Sequence, residues 1–259
     1  MSSLPSLGRT FYAIALAAFG VQHLAHGDFV TRVVPWWPEQ WAGRGLWAGA
    51  VGLVLVAGAA ALLARFHVRT VAWLLGGALL LSFVLLGVPL AAGDTMLGGD
   101  WTRAGKTLAL SGGAWLIASA ALPSARTAPA ARATGSWFFG AFLALCGIQH
   151  YIHWVFVASL VPAWIPGALF WTYFTGAALV AAGIGVVVVG RTARLAGLLS
   201  GLMIFCWVVV LHVPRALTDT VDTNEITAVF EALAMSGIGL LIAGGGRAAA
   251  DGWRLMRRA

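Results

Sequence analysis

The stretch Gly147-Ile148-Gln149-His150-Tyr151-Ile152-His153 closes an apolar run, and it has a twin in Gly20-Val21-Gln22-His23-Leu24-Ala25-His26. The Gln and both His residues of the two copies lie the same 127 positions apart. A proline–tryptophan segment follows each copy, Pro35-Trp36-Trp37-Pro38 in the first and Pro162-Ala163-Trp164-Ile165-Pro166 in the second. Correspondence continues outward. Leu46-Trp47 and Gly52 match Phe170-Trp171 and Gly176, Val88-Pro89 matches Val213-Pro214, Asp94-Thr95 matches Asp219-Thr220, and Leu108, Ser111 and Gly112 match Leu233, Ser236 and Gly237. The chain reads as one unit used twice.

Of the 259 residues, 60% are hydrophobic and 10% charged, too few charges to cover a soluble protein of this length. Apolar runs of about 20 residues recur, the length that crosses a bilayer core as a helix. Eight such spans are expected, near Phe11–Phe29, Leu46–Ala64, Thr70–Leu90, Ala104–Leu122, Trp137–Ala158, Leu169–Gly190, Leu195–Val213 and Glu225–Gly244. The fold expected is an all-α membrane protein of two tandem four-helix bundles. Its divisions are a first repeat over 1–122, a cytoplasmic linker over 123–135, a second repeat over 136–246 and a basic tail over 247–259. An even number of spans per repeat gives both halves the same orientation, related by a pseudo-two-fold axis along the membrane normal.

Charge orients the chain. Arg9, Arg65, Arg69, Arg126, Arg132, Arg191, Arg194 and the tail arginines fall on one side, with Asp251 as its acid. The other side carries Asp28, Glu39, Asp94, Asp100, Asp219, Asp222, Glu225 and Glu231 among fewer cations. The positive-inside rule then places both termini in the cytoplasm and both histidine motifs toward the outer face. The net charge of +7 is a topology signal of this kind and not a nucleic-acid footprint. Cys146 and Cys206 fall inside apolar spans, lack cysteine counterparts and read as small buried hydrophobes. The first run carries Gln22, His23, His26 and Asp28 where a signal peptide would have a small-residue cleavage site, so it reads as a span.

His150 and His153 are three apart, as are His23 and His26, which places each pair on one helix face about one turn apart. Imidazoles so spaced can converge on zinc or copper, bind haem, hold a quinone headgroup or handle its protons, or link helices as hydrogen-bonded glue. His212 could join the second pair, and Gln22, Gln149, Trp37, Trp164 and Tyr173 are candidates to line such a site. Asp28 either orients an imidazole or ends its helix in solvent. His67 sits in the basic turn Arg65–Arg69 and reads as part of it. Lys106 and Glu231 occupy matching positions, which suggests an ion pair between halves; pairing of Lys106 with Asp94 or Asp100 is the alternative. Phosphate-loop, serine-elbow, Cys-x-x-Cys and His-Glu-x-x-His motifs are absent, which removes the usual signs of nucleotide use and serine hydrolysis.

Several stretches of the second half resemble DoxX-like membrane proteins. They are His153, Leu160-Val161-Pro162-Ala163-Trp164-Ile165-Pro166-Gly167, Trp171-Thr172-Tyr173-Phe174-Thr175-Gly176, Gly183-Ile184-Gly185, Arg191-Thr192-Ala193-Arg194-Leu195-Ala196 and His212-Val213-Pro214. The resemblance covers about residues 137–245, and 11–122 more loosely through the repeat. It implies four-helix units fused in tandem, in a bacterial inner (plasma) membrane. Some members of that family are linked to a membrane thiosulfate:quinone oxidoreductase and others to redox-stress or metal-related complexes. The resemblance thus implies redox association, with a redox partner protein or complex. Many members carry an acid soon after the Tyr-x-x-Gly stretch, whereas Gly176 here precedes Ala177-Ala178-Leu179-Val180, so that acid's contribution does not carry over. A structural subunit of a membrane complex is the further alternative.

Overall fold

The computed structural model describes residues 3–34, 42–121, 124–188, 190–218 and 223–245. Trp37, Asp219, Asp222 and the expected tail lie outside these residues. The described residues are helical, without strands: α1 (Ser3–His26), α2 (Arg44–Leu63), α3 (Val68–Ser82), α4 (Val88–Ala92), α5 (Gly99–Ala121), α6 (Ala128–Ile152), α7 (Trp154–Leu160), α8 (Ala168–Val187), α9 (Arg191–Trp207), α10 (Val213–Thr218) and α11 (Thr223–Gly244). Among them, seven stretches are long and apolar enough to cross a membrane. These are α1, α2, the continuous run Val68–Ala92, α6, α8, the continuous run Arg191–Thr218 and α11. The protein is an all-α integral membrane protein.

Helix α5, the remaining expected span, is 23 residues long but carries Asp100, Arg103 and Lys106 and many small residues. Its composition suits a helix surrounded by protein, and Ala104 to Ser119 is largely buried. Helix α11 is similarly enclosed, with 72% of its most apolar window buried against at most 44% in the other six spanning stretches. The two meet at the centre of the molecule.

Corresponding positions in the halves make the same local structures. Phe83–Gly87 and Val208–His212 are π-helical turns 125 positions apart, each just before an α segment with proline at its second residue. Pro89 and Pro214 lack an N–H and crowd the carbonyl one turn back, and a widened turn relieves that contact. Ser111 Oγ donates to Gly76 O at 2.7 Å, and Ser236 Oγ donates to Gly201 O at 2.8 Å. Gly43 and Gly167, both at φ +76°, start α2 and α8 in the left-handed region that favours glycine.

The packing does not divide the helices into two closed four-helix groups. Helix α1 lies between α2 and α11, and α6 lies between α8 and α5, while α1 and α5 touch only slightly. The first helix of each half therefore packs on the last helix of the other. Small residues explain the choice, because helices in lipid associate where backbones can approach. Gly8 faces Gly237 where α1 crosses α11, and Gly135 faces Gly112 where α6 crosses α5. Tyr12, Leu16, Phe19, Phe139, Leu143, Ile238 and Ile242 fill the core between these crossings. Tyr12 Oη donates to Leu110 O at 2.7 Å, fixing α1 to α5 where they touch.

Two boundaries differ from expectation. The second half of the anticipated linker is helical from Ala128, because an alanine-rich segment with Pro129 in the first turn favours a helix. The anticipated span Trp137–Ala158 breaks at His153, where φ is −108° and ψ 35°, and α7 sets off separately.

Candidate functional site

The halves part company directly after the histidine motifs. In the first, Gly27 adopts φ +62° and turns the chain back at the end of α1. Asp28 Oδ1 accepts from Phe29 N at 2.6 Å and from Arg44 Nε at 2.5 Å, holding the turn against the start of α2. Phe29 is thereby buried with its ring edge-on to His23, centroids 5.9 Å apart, and Val33 joins the core. The residue matching Gly27 is Trp154, which instead begins α7 and leaves Phe156 exposed. The space beside the second motif stays open.

That space is a cavity of about 280 Å³. Its walls are mainly apolar, with Phe142, Leu179, Met203, Trp171 and Trp207 prominent. Its polar groups are few: His150, His212, Thr172, Thr175, and the pair Lys106 and Glu231. Each has a structural reason for its place. His150 is in the last turn of α6, His212 closes the π-helical turn before Pro214, and Lys106 and Glu231 come from α5 and α11.

His150 Nδ1 lies 2.7 Å from Cys146 O. A carbonyl only accepts, so Nδ1 carries the proton and the neutral ring offers Nε2 as an acceptor. His23 Nδ1 makes the same bond to Phe19 O at 2.7 Å, but its ring is fully buried and its Nε2 has no hydrogen-bond partner among the described residues. Lys106 Nζ donates to Glu231 Oε1 at 2.5 Å, and Arg32 Nη2 donates to Glu231 Oε2 at 2.8 Å. The expected ion pair between halves is therefore present, with a second cation on the same carboxylate. Arg32 has no charged counterpart in the second half and was not anticipated from sequence.

The other expected site residues serve elsewhere. His26 is exposed. His153 lies beyond the last residue of α6, and its Nε2 sits 3.3 Å from Leu97 O, so it does not share a face with His150. Gln149 donates to Leu97 O and Gly98 O at 2.7 and 2.9 Å and accepts from Thr102 Oγ1 at 3.0 Å, tying α6 to the start of α5. Gln22 accepts from Thr227 Oγ1 at 3.1 Å, the equivalent tie between α1 and α11. Trp164 is 71% exposed, and Tyr173 stacks on Tyr151 outside the cavity. Trp171 and Trp207 take the wall position anticipated for Trp164. The signal for the asymmetry was in the sequence, as Gly27 against Trp154. Among the described residues no three His, Cys, Asp or Glu side chains are grouped to hold a metal ion.

Asp28 provides a pH test of the first-half turn. The Arg44 guanidinium hydrogen-bonded to it, helped by the Phe29 amide, holds its carboxyl below the usual carboxylate range. A lowered folded-state value means stability that is present above the ordinary range and lost as pH falls through the lowered value. Half of the Asp28 side chain is exposed, so the contribution is under about 1 kcal/mol. The melting-temperature gap between wild type and Asp28→Asn should be small and positive at neutral pH and close in acid; a gap that widens in acid contradicts the assignment.

The family model described as Domain of unknown function (DUF8561) matches residues 139–242, from Phe139 in α6 to Ile242 in α11. The match takes in the second repeat and most of the cavity wall. No curated protein and no solved structure matches the chain.

Proposed function

We propose that the protein binds a quinone headgroup in the cavity between His150 and His212, as a DoxX-like, redox-associated membrane protein. One observation carries this reading: an apolar slot of about 280 Å³ with a few convergent polar groups, the lining that suits a flat, mainly apolar ligand with separated carbonyl oxygens. A bound quinone would supply two-electron, two-proton chemistry. The chain's part is to orient it and manage protons. His150 Nε2 accepts a hydrogen bond from a hydroxyl, and His212 holds a proton at its own place on the cavity wall. The Lys106–Glu231 pair sets a fixed dipole at the cavity edge, and Trp171, Trp207 and Leu179 exclude water. Arg32, a third exposed, links Glu231 toward solvent.

The matched π turns, glycine crossings and Ser–carbonyl bonds support two repeats related by a pseudo-two-fold axis along the membrane normal, with α5 completing eight spans. Arg65, Arg69, Arg126, Arg132, Arg191 and Arg194 on one side of the sequence support cytoplasmic termini in a bacterial inner membrane, with the cavity toward the outer leaflet. A redox partner would then dock at that face.

One observation favours a second reading, a structural subunit: Gln22, Gln149 and His153 all serve as ties between helices or loops. Titration of detergent-purified protein with a short-chain quinone, read by tryptophan fluorescence, separates the two. Quinone binding should quench Trp171 and Trp207 saturably, and His150→Ala should weaken affinity at least tenfold. Linear, non-saturating quenching identical in the variant would leave the structural reading.

A further inference from the structure

A second concavity, about 810 Å³, opens at the opposite end of the second half, among the N-termini of α6 and α9, the end of α8 and the end of α11. Its walls include Val186, Val187, Leu195, Leu198 and the half-exposed Trp137. Its polar end holds Arg132, Arg191 and Arg194, and no described carboxylate lines it. We propose that this groove is a binding site for the headgroup of an anionic phospholipid, with its acyl chains lying along the valine and leucine walls.

Three independent features meet here. First, the arginines lie near helix N-termini, where the backbone already presents partial positive charge. Arg191 and Arg194 are in the opening turn of α9, and neither α6 nor α9 has an acid in its first turn. Cations at that end oppose the helix dipole, and a bound anion reverses the penalty. Second, two guanidiniums are held together: Arg132 Nη2 donates to Ile242 O at 3.1 Å and Arg194 Nε to Ala243 O at 3.3 Å. Adjacent carbonyls at the end of α11 thus fix two like charges side by side. Guanidinium forks bind phosphate in bidentate fashion, and Arg191 and Arg194 bring theirs to the groove wall while Arg132 packs against Gly245. Third, the groove is wide and mostly apolar, at the end of the bundle where basic residues gather and headgroups lie, the setting in which basic pockets between spans hold anionic lipids. A free phosphate would use the arginines but leave the apolar walls uncovered.

The test is native mass spectrometry of the full chain in detergent with added phosphatidylglycerol or phosphatidylcholine, alongside Arg191→Gln/Arg194→Gln and the control Arg126→Gln. Arg126 is exposed, at the same end, and outside the groove. The expected result is phosphatidylglycerol retained at least tenfold more tightly than phosphatidylcholine, with that preference lost in the double variant and kept in the control. Unchanged thermal unfolding of the double variant confirms an intact fold. Equal retention of the two lipids, or an unchanged preference in the double variant, would overturn the proposal. Inorganic phosphate displacing the lipid at equal concentration would also overturn it, in favour of a soluble anion.

Discussion

Replacing Glu231 by alanine is expected to destabilise the protein by about 3–5 kcal/mol, the cost of leaving a buried charge without its partner. Lys106 Nζ would lose a carboxylate 2.5 Å away while its side chain stays only 10% exposed. Lys106→Met should cost less, because Glu231 keeps Arg32 at 2.8 Å. That remaining pair is discounted for the exposure of Arg32, whose side chain can reach solvent when released. The double variant Lys106→Met/Glu231→Met should recover most of the loss, since a buried ion pair replaced by apolar groups of similar volume is often near neutral. Unfolding in mixed micelles of rising SDS fraction gives all three values. A Glu231→Ala effect below about 1 kcal/mol would mean that water reaches the pair and that the centre of the bundle is not dry.

Valine at Gly112 or Gly237 should cost about 1–3 kcal/mol or more, the range for overpacking a filled interface. A Cβ at Gly112 would lie 2.8 Å from Gly135 O, and one at Gly237 would lie 2.6 Å from Gly8 O. In both cases the obstructing atom is backbone, which yields only by parting two helices. The crossings are also reciprocal, since a Cβ at Gly135 or Gly8 would meet the facing carbonyl at 2.5 Å. Valine at Gly77, where an added Cβ meets nothing within 4 Å, should be tolerated apart from its propensity cost. Loss of folded protein in the first pair and retention in the control is the expected pattern under the same SDS titration. Equal tolerance at all three sites would contradict the cross-half packing.

Much of this arrangement was legible because membrane helices write their spacing and their repeats openly. The 127-position recurrence of Gln-His-x-x-His suggested a duplicated ligand site with Gln22 and Gln149 lining it; the matching bonds that Gln22 and Gln149, and His23 and His150, make are ties within and between helices. The matching of Lys106 with Glu231 suggested an ion pair between halves, and Lys106 Nζ lies 2.5 Å from Glu231 Oε1. The partner of each end helix was less accessible. A repeat says that α1 corresponds to α6, but the glycine faces of α1 fit α11 as well as a helix of their own half. The second histidine pair departs from the expected shared face for a local reason: helical spacing puts His150 and His153 on one face only if the helix continues, and α6 stops at Ile152. Gly27 against Trp154 carried the asymmetry in a single position, and with it the burial of His23 and the openness around His150.

The central claim is that the cavity beside His150 holds a quinone headgroup, and cross-linking with a photoreactive quinone in native membranes tests it most directly. The account predicts label on α8 around Trp171–Leu179 and on Met203–His212, saturating at one quinone per chain and abolished by Thr175→Phe, which fills the slot. Label spread over the lipid-facing residues of α2 and α3, at the same level in Thr175→Phe, would contradict it.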